Sequence, residues 1–220
     1  MTDRIPTTEM IRESGKRTTS LVFFRHGKTD FPEERFYSRV NDPPLSSQGK
    51  MEAERLGRWV KSGSFSILYA SPLKRTLETA AFIGRGSGLP VIPYPGLEER
   101  TMGEWDGLTP AEAKERDSEA FGRWKEDLLT FSPPGGESWA VFAARVEKTV
   151  RAIVSAHPDQ KVAVVTHVGP IRVIVSRAME IPDENHKRIV LGYGSATRID
   201  YTKNWGNLAY LGIVPFDQEP

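Results

Sequence analysis

The sequence predicts an α/β fold, a three-layer sandwich with a mostly parallel central sheet and helices on both faces. Two observations lead there. Short apolar runs alternate with segments of helical period along the chain. No internal repeat, low-complexity stretch or linker interrupts that rhythm, so residues 20–220 are expected to form one domain.

The elements follow in order. Residues 1–19 are polar and mixed in charge, with too little apolar surface to offset ordering, and are predicted to be a flexible tail. Leu21–Phe24 reads as a buried strand. Lys50–Lys61 places Ala53, Leu56 and Val60 on one face and reads as a helix. Ile67–Ala70 is a short strand that stops at Ser71-Pro72. Lys74–Ile83 is a second helix with Leu77, Ala80 and Ala81 inward, and Val91–Pro93 is a third strand. Leu97–Ser138 breaks the rhythm and is predicted as a helical flap, near 97–138, over one end of the sheet. Within it, Thr109 can cap a helix, Pro110 suits the first turn and Glu112 completes a capping box. Ser138 opens a longer helix with Phe142, Val146, Val150 and Ile153 along one stripe. Lys161–Val165 is a buried strand, Gly169-Pro170 opens another helix, and strands near Ala196–Tyr201 and Leu208–Val214 close the chain.

Composition excludes several classes of function. The chain has 220 residues, 38% apolar and 27% charged, with a formal net charge of +1. No run of five or more basic residues occurs, which argues against nucleic acid as a partner. With no cysteine there is no disulfide, thiolate ligand or thiol nucleophile. The first residues lack the apolar centre of a signal peptide, and no apolar run approaches the ~20 residues of a membrane span. A cytoplasmic protein without a membrane partner is expected. An exposed apolar sheet edge would allow a homodimer.

In sheets of this kind the ligand lies at the carboxyl ends of the strands. Three strands deliver reactive residues there: one ends in Arg25-His26, one in Ser71-Pro72 with Arg75 behind it, and one in Thr166-His167. Gly27-Lys28-Thr29 imitates the end of a nucleotide-binding phosphate loop, but the motif's first glycine would fall on Val22, inside an apolar strand. Two histidines and two arginines instead suit phosphoryl transfer. Neutral imidazole is a nucleophile near pH 7, and guanidinium forks match the equatorial oxygens of phosphorus. A second, protonated histidine would add positive charge, and the helix N-terminus at Gly169-Pro170 would add backbone donors. A carboxylic acid must then protonate the leaving oxygen and later activate water. His157 and His186 stand in polar stretches with no flanking motif, and are expected to be structural, as are Trp105 and Trp124. The carboxylates are dispersed, so neither a metal nor a cofactor is expected.

Six ordered blocks then resemble the histidine phosphatase superfamily, in its phosphoglycerate mutase-like branch. They are Phe24-Arg25-His26-Gly27, Asp42 to Gly49, Ser71 to Ala80, Leu97 to Gly107, Pro134 to Ser138, and Val165-Thr166-His167-Val168-Gly169. The resemblance spans about Leu21 to Val214 and implies that family's sandwich fold. It also implies that His26 is the phosphorylated nucleophile, that Arg25 and Arg75 bind the phosphoryl group, and that His167 is the second pocket histidine. Glu99 would be the proton donor, preferred over Glu98 because it stands four residues before Gly103. Thr29 and the backbone N–H of Val168 are expected to contact substrate. Three positions depart from the family pattern: Lys28, Pro32 where many members have Asn, and Val168 within the last block. Asn41 or Arg35 is the candidate to replace the missing Asn, and Lys28 and Arg35 would favour a more anionic substrate. Glu99 and His167 are 68 residues apart, short for a mutase. The flap instead resembles α-ribazole phosphatases and broad-specificity phosphomonoesterases. The expected function is a metal-independent phosphomonoesterase acting through a phosphohistidine on a small phosphorylated metabolite. The alternatives are a cofactor-dependent phosphoglycerate mutase and, from another class, an inactive phosphate-binding interaction module.

Overall fold

Strand β1 (Thr19–Arg25) lies inside the sheet and is buried on both faces. Successive strand side chains point to opposite sides. Leu21 and Phe23 therefore enter one apolar layer, and Val22 and Phe24 the other, all fully buried. The computed structural model describes residues 18–38, 40–202 and 206–215. Most of the predicted tail lies outside the described residues. Its last position, Thr19, is instead the buried first residue of β1, where its hydroxyl donates to the carbonyl of His157.

The other strands are β2 (Ile67–Ala70), β3 (Val91–Pro93), β4 (Lys161–Thr166), β5 (Ala196–Tyr201) and β6 (Gly206–Ile213). Their spatial order is β3-β2-β4-β1-β5-β6. The first four run parallel, β5 is antiparallel to β1 and β6 antiparallel to β5, which makes the sheet mixed. Helices α1 (Ser47–Trp59) and α2 (Lys74–Ser87) cover one face. Helices α5 (Trp139–Ala156) and α6 (Val168–Ala178) cover the other. The predicted elements are present, with α1 and α6 starting one turn or less earlier than their apolar stripes suggested.

Between β3 and α5 the chain forms a short 3-10 turn at Gly103–Trp105, then α3 (Pro110–Arg116) and α4 (Ser118–Glu126). The capping box of Thr109 and Glu112 is present. Met102, Trp105, Ala113 and Phe121 form a third apolar cluster, joined by Phe36 and Trp124. Trp105 and Trp124 thus pack, as expected. Among the described residues no helix is long and apolar enough to cross a membrane.

Candidate active site

Register places three strand ends level. Arg25 pairs with Thr166, and Ala70 with Val165. The backbone then continues the ladder: His26 N–H donates to the Thr166 carbonyl at 3.1 Å, and Ser71 N–H to the Val165 carbonyl at 2.9 Å. His26 and His167 consequently meet edge to face, with ring centroids 5.1 Å apart, both buried. His26 Nδ1 is 2.8 Å from the Gly27 carbonyl. A carbonyl only accepts, so Nδ1 carries the proton and Nε2 keeps its lone pair. His167 Nε2 lies 2.9 Å from the Ser71 hydroxyl.

The loop after His26 is held by backbone packing. A Cβ on Gly27 would stand 2.3 Å from the Gly49 carbonyl oxygen, and one on Gly49 would stand 1.9 Å from that of Lys28. Only two glycines permit that approach of the loop to the start of α1. Gly27 N–H donates to Thr79 Oγ1 on α2, and Lys28 N–H to the buried carboxylate of Glu52 on α1. Ser46 caps α1 by accepting from Gly49 N–H and donates to the Lys28 carbonyl. Thr29 is buried and pairs through its backbone with Leu45.

Arg75, in the first turn of α2, is wholly buried. Its Nη2 donates to the Ser38 carbonyl at 3.0 Å, and its Nη1 is 3.5 Å from Asp42. The same Asp42 carboxylate accepts from Lys74 N–H at 2.9 and 3.0 Å, so the residue that anchors Arg75 also caps its helix. The Arg25 guanidinium lies 3.6 Å over the Tyr193 ring and donates to the Leu191 carbonyl. Tyr37 faces Arg75 at 4.8 Å. Tyr193, pushed up to about 12 by burial and then by Tyr37, with which it shares a hydrogen bond, remains a neutral wall. Among the described residues, Arg25 Nε, Arg75 Nε and His167 Nδ1 are buried with no hydrogen-bond partner. These are donors and an imidazole nitrogen suited to an oxyanion.

Burial, and then the charge of Arg75, hold both His26 and His167 well below the usual histidine range. Both are therefore neutral near pH 7. For His26 this fits a nucleophile. For His167 it corrects the expected protonated partner: in the free site the positive charge is carried by the arginines.

Glu99 reaches the site from the loop after β3. Thr166 Oγ1 donates to the Leu97 carbonyl at 2.6 Å, pinning that loop to the end of β4. Glu99 Oε2 accepts from Gly169 N–H at 3.0 Å, at the N-terminus of α6, and Oε1 accepts from Arg100 N–H at 2.9 Å. A Cβ on Gly169 would fall 2.0 Å from Oε1. Glu98 turns elsewhere, accepting from Gly96 N–H and lying 3.7 Å from Arg145. Val168 opens α6, half-buried against the larger core cluster.

The two cations expected to favour an anionic substrate both have carboxylate neighbours. Arg35 is a fork to Glu112, at 2.8 and 3.2 Å, and also donates to the Gly107 carbonyl. Lys28 Nζ is 3.5 Å from Glu33. Arg35 is thus held by the Glu112 carboxylate, whereas Lys28 keeps only a long, exposed contact with Glu33.

A family model described as "Histidine phosphatase superfamily (branch 1)" matches residues 21–213. The chain belongs to the histidine phosphatase superfamily. The chain is 36% identical over 163 residues to a bifunctional protein of Mycobacterium tuberculosis, covering 74% of the chain and 44% of that relative, so it spans less than half the relative's length. It is 34% identical over 152 residues to phosphoserine phosphatase 1 of Hydrogenobacter thermophilus, covering 69% and 72% of the two. The crystal structure of a putative α-ribazole-5'-P phosphatase from Escherichia coli superposes with a TM-score of 0.81 at 25% identity, over 91% of this chain and 99% of that one.

Several residues of the site carry no signal in the sequence. Tyr193 and Tyr37 come from irregular loops with no period, and Ser38 and Glu52 act through contacts 37 and 24 residues away. Asp42 opens one of the quoted blocks, but its hold on Arg75, 33 residues away, is visible only in the fold. His157 and His186 are structural, as expected. His157 lies 2.9 Å from the Tyr69 hydroxyl, and His186 stacks on Trp139 with centroids 3.6 Å apart.

Proposed function

We propose that the chain is a metal-independent phosphomonoesterase that works through a phosphohistidine at His26 on a small phosphorylated metabolite. One observation carries this reading. A buried, neutral imidazole has its Nδ1 proton fixed on a carbonyl and its Nε2 lone pair free, beside two guanidinium groups with unpartnered Nε donors. Relatives named as phosphoserine and α-ribazole phosphatases support a small substrate.

In the first half-reaction His26 Nε2 forms a bond to phosphorus while the ester P–O bond breaks. The leaving oxygen takes its proton from Glu99. Arg25, Arg75 and His167 hold the three remaining oxygens as charge builds on them. In the second half-reaction Glu99, now a carboxylate, removes a proton from water as the water oxygen attacks phosphorus. The P–N bond breaks, which returns neutral His26 and inorganic phosphate.

The test is p-nitrophenyl phosphate hydrolysis in excess EDTA, with His26→Ala alongside. Turnover should survive chelation and vanish in the variant, and acid-labile label from ³²P substrate should remain on wild type only. Activity retained by His26→Ala overturns the mechanism. Transfer of the label to a second hydroxyl compound in preference to water would point to a mutase.

A further inference from the structure

Burying a guanidinium is costly unless an anion matches it. The described chain usually supplies one. Arg145 forks onto Glu137 and Arg177 onto Asp183, and Arg198 pairs through Nε with Asp200. Two half-buried arginines beside Glu99 are different. Arg100, its chain neighbour, donates Nε to the Glu137 backbone carbonyl, and its Nη2 is buried with no partner among the described residues. Arg172 stands one helical turn beyond Gly169, on the face of α6 that Glu99 touches, and donates Nε to the Ile189 carbonyl. That bond brings in the 3-10 segment Asp183–Arg188, whose Lys187 ammonium lies 5.7 Å over the Trp124 ring. Neither arginine nor Lys187 has a carboxylate within 4 Å among the described residues. Glu137 and then Glu99 act electrostatically on Arg100, Glu99 acts on Arg172, and both arginines act on Lys187. Three cations thus gather on the Glu99 side of the site with no close ion-pair partner among the described residues.

We propose that Arg100, Arg172 and Lys187 form a second anion subsite, which selects phosphate esters whose leaving group carries a carboxylate or a further phosphate. This rests on Glu99 being the group that faces the leaving oxygen. The subsite deepens the proposed function by naming the substrate class. An anion seated there would give these arginines the close ion pair that the protein does not supply, while the ester phosphate occupies the pocket of Arg25, Arg75 and the two histidines. Phosphate esters with neutral leaving groups would fill only the first pocket.

Matched substrates test it. Wild type should hydrolyse 3-phosphoglycerate or 1,3-propanediol bisphosphate with kcat/KM at least about tenfold above glycerol 3-phosphate, mainly through KM. Whichever of the two is preferred identifies the second anion. Lys187→Glu, at the exposed rim, and Arg172→Met should erase that preference while changing kcat/KM for glycerol 3-phosphate less than about threefold. No preference in wild type, or parallel loss on all substrates in Lys187→Glu, overturns the subsite. Calorimetric titration of His26→Ala with the same compounds reads binding without turnover. Anion-selective binding by a wild-type protein that hydrolyses none of them would keep the subsite and overturn the phosphatase reading. Unselective binding by His26→Ala would overturn the subsite alone.

Discussion

A single methyl group at position 169 would dislodge Glu99, because the carboxylate occupies the space where that group would stand. Gly169→Ala should therefore mimic loss of the acid. We expect Glu99→Gln to lower kcat by roughly 10²–10⁴-fold on an alkyl phosphate, and less on p-nitrophenyl phosphate, whose leaving group needs little protonation. Gly169→Ala should show the same ordering, with a thermal midpoint within a few degrees of wild type. Equal losses on both substrates in Glu99→Gln would remove Glu99 from the acid role. Glu99 and Gly169 are legible in sequence because they sit at motif spacing. Tyr193 is not: its contact with Arg25 and His26 joins positions 168 and 167 apart, and neither end carries a local signal. His167 was found, but its neutrality comes from burial and from Arg75, which no one-dimensional pattern displays.

Among the elements, α3 is seven residues long and too short to hold itself as a helix. It depends on the Thr109–Glu112 box and on Ala113 in the Trp105 cluster. Thr109→Ala should cost about 1 kcal/mol, read from urea unfolding. Amide exchange should rise in residues 102–131 more than in the sheet, and uniform acceleration would contradict a separately stabilised flap. Glu112 also fixes Arg35, so the flap and the loop after His26 should loosen together. Element boundaries were most legible where turn residues bracket an apolar run, as at Ala70 before Ser71-Pro72. Helix α4 passed unnoticed because only Phe121 is fully buried along Ser118–Glu126, and one position defines no period. Thr19 was assigned to the tail because a lone polar residue does not announce that its partners, Tyr201 and the His157 carbonyl, lie far along the chain.

For the whole molecule, buried neutral histidines tie stability to pH. His26, His167 and, more weakly buried, His186 all lie below the usual range, with burial as the leading cause. The unfolded chain therefore binds protons more readily than the folded one. Their contribution is complete above about pH 6.5 and is lost as pH falls from there toward the depressed folded values. The thermal midpoint should drop between pH 7 and pH 5, and His167→Gln should flatten that slope. A flat profile in wild type would show that the imidazoles accept protons in place.

The order of strands also bears on synthesis. Strand β1 emerges before either neighbour, since its partners are Lys161–Thr166 on one side and Ala196–Tyr201 on the other. The first pairing, Ser20 with Lys161, joins residues 141 positions apart. At ribosomal rates of about 5–20 residues per second, the Leu21–Phe24 run waits roughly 7–28 seconds for its first partner. During that interval the most apolar strand of the nascent chain has an open edge on both sides, and a chaperone that holds short hydrophobic segments would find its natural target there.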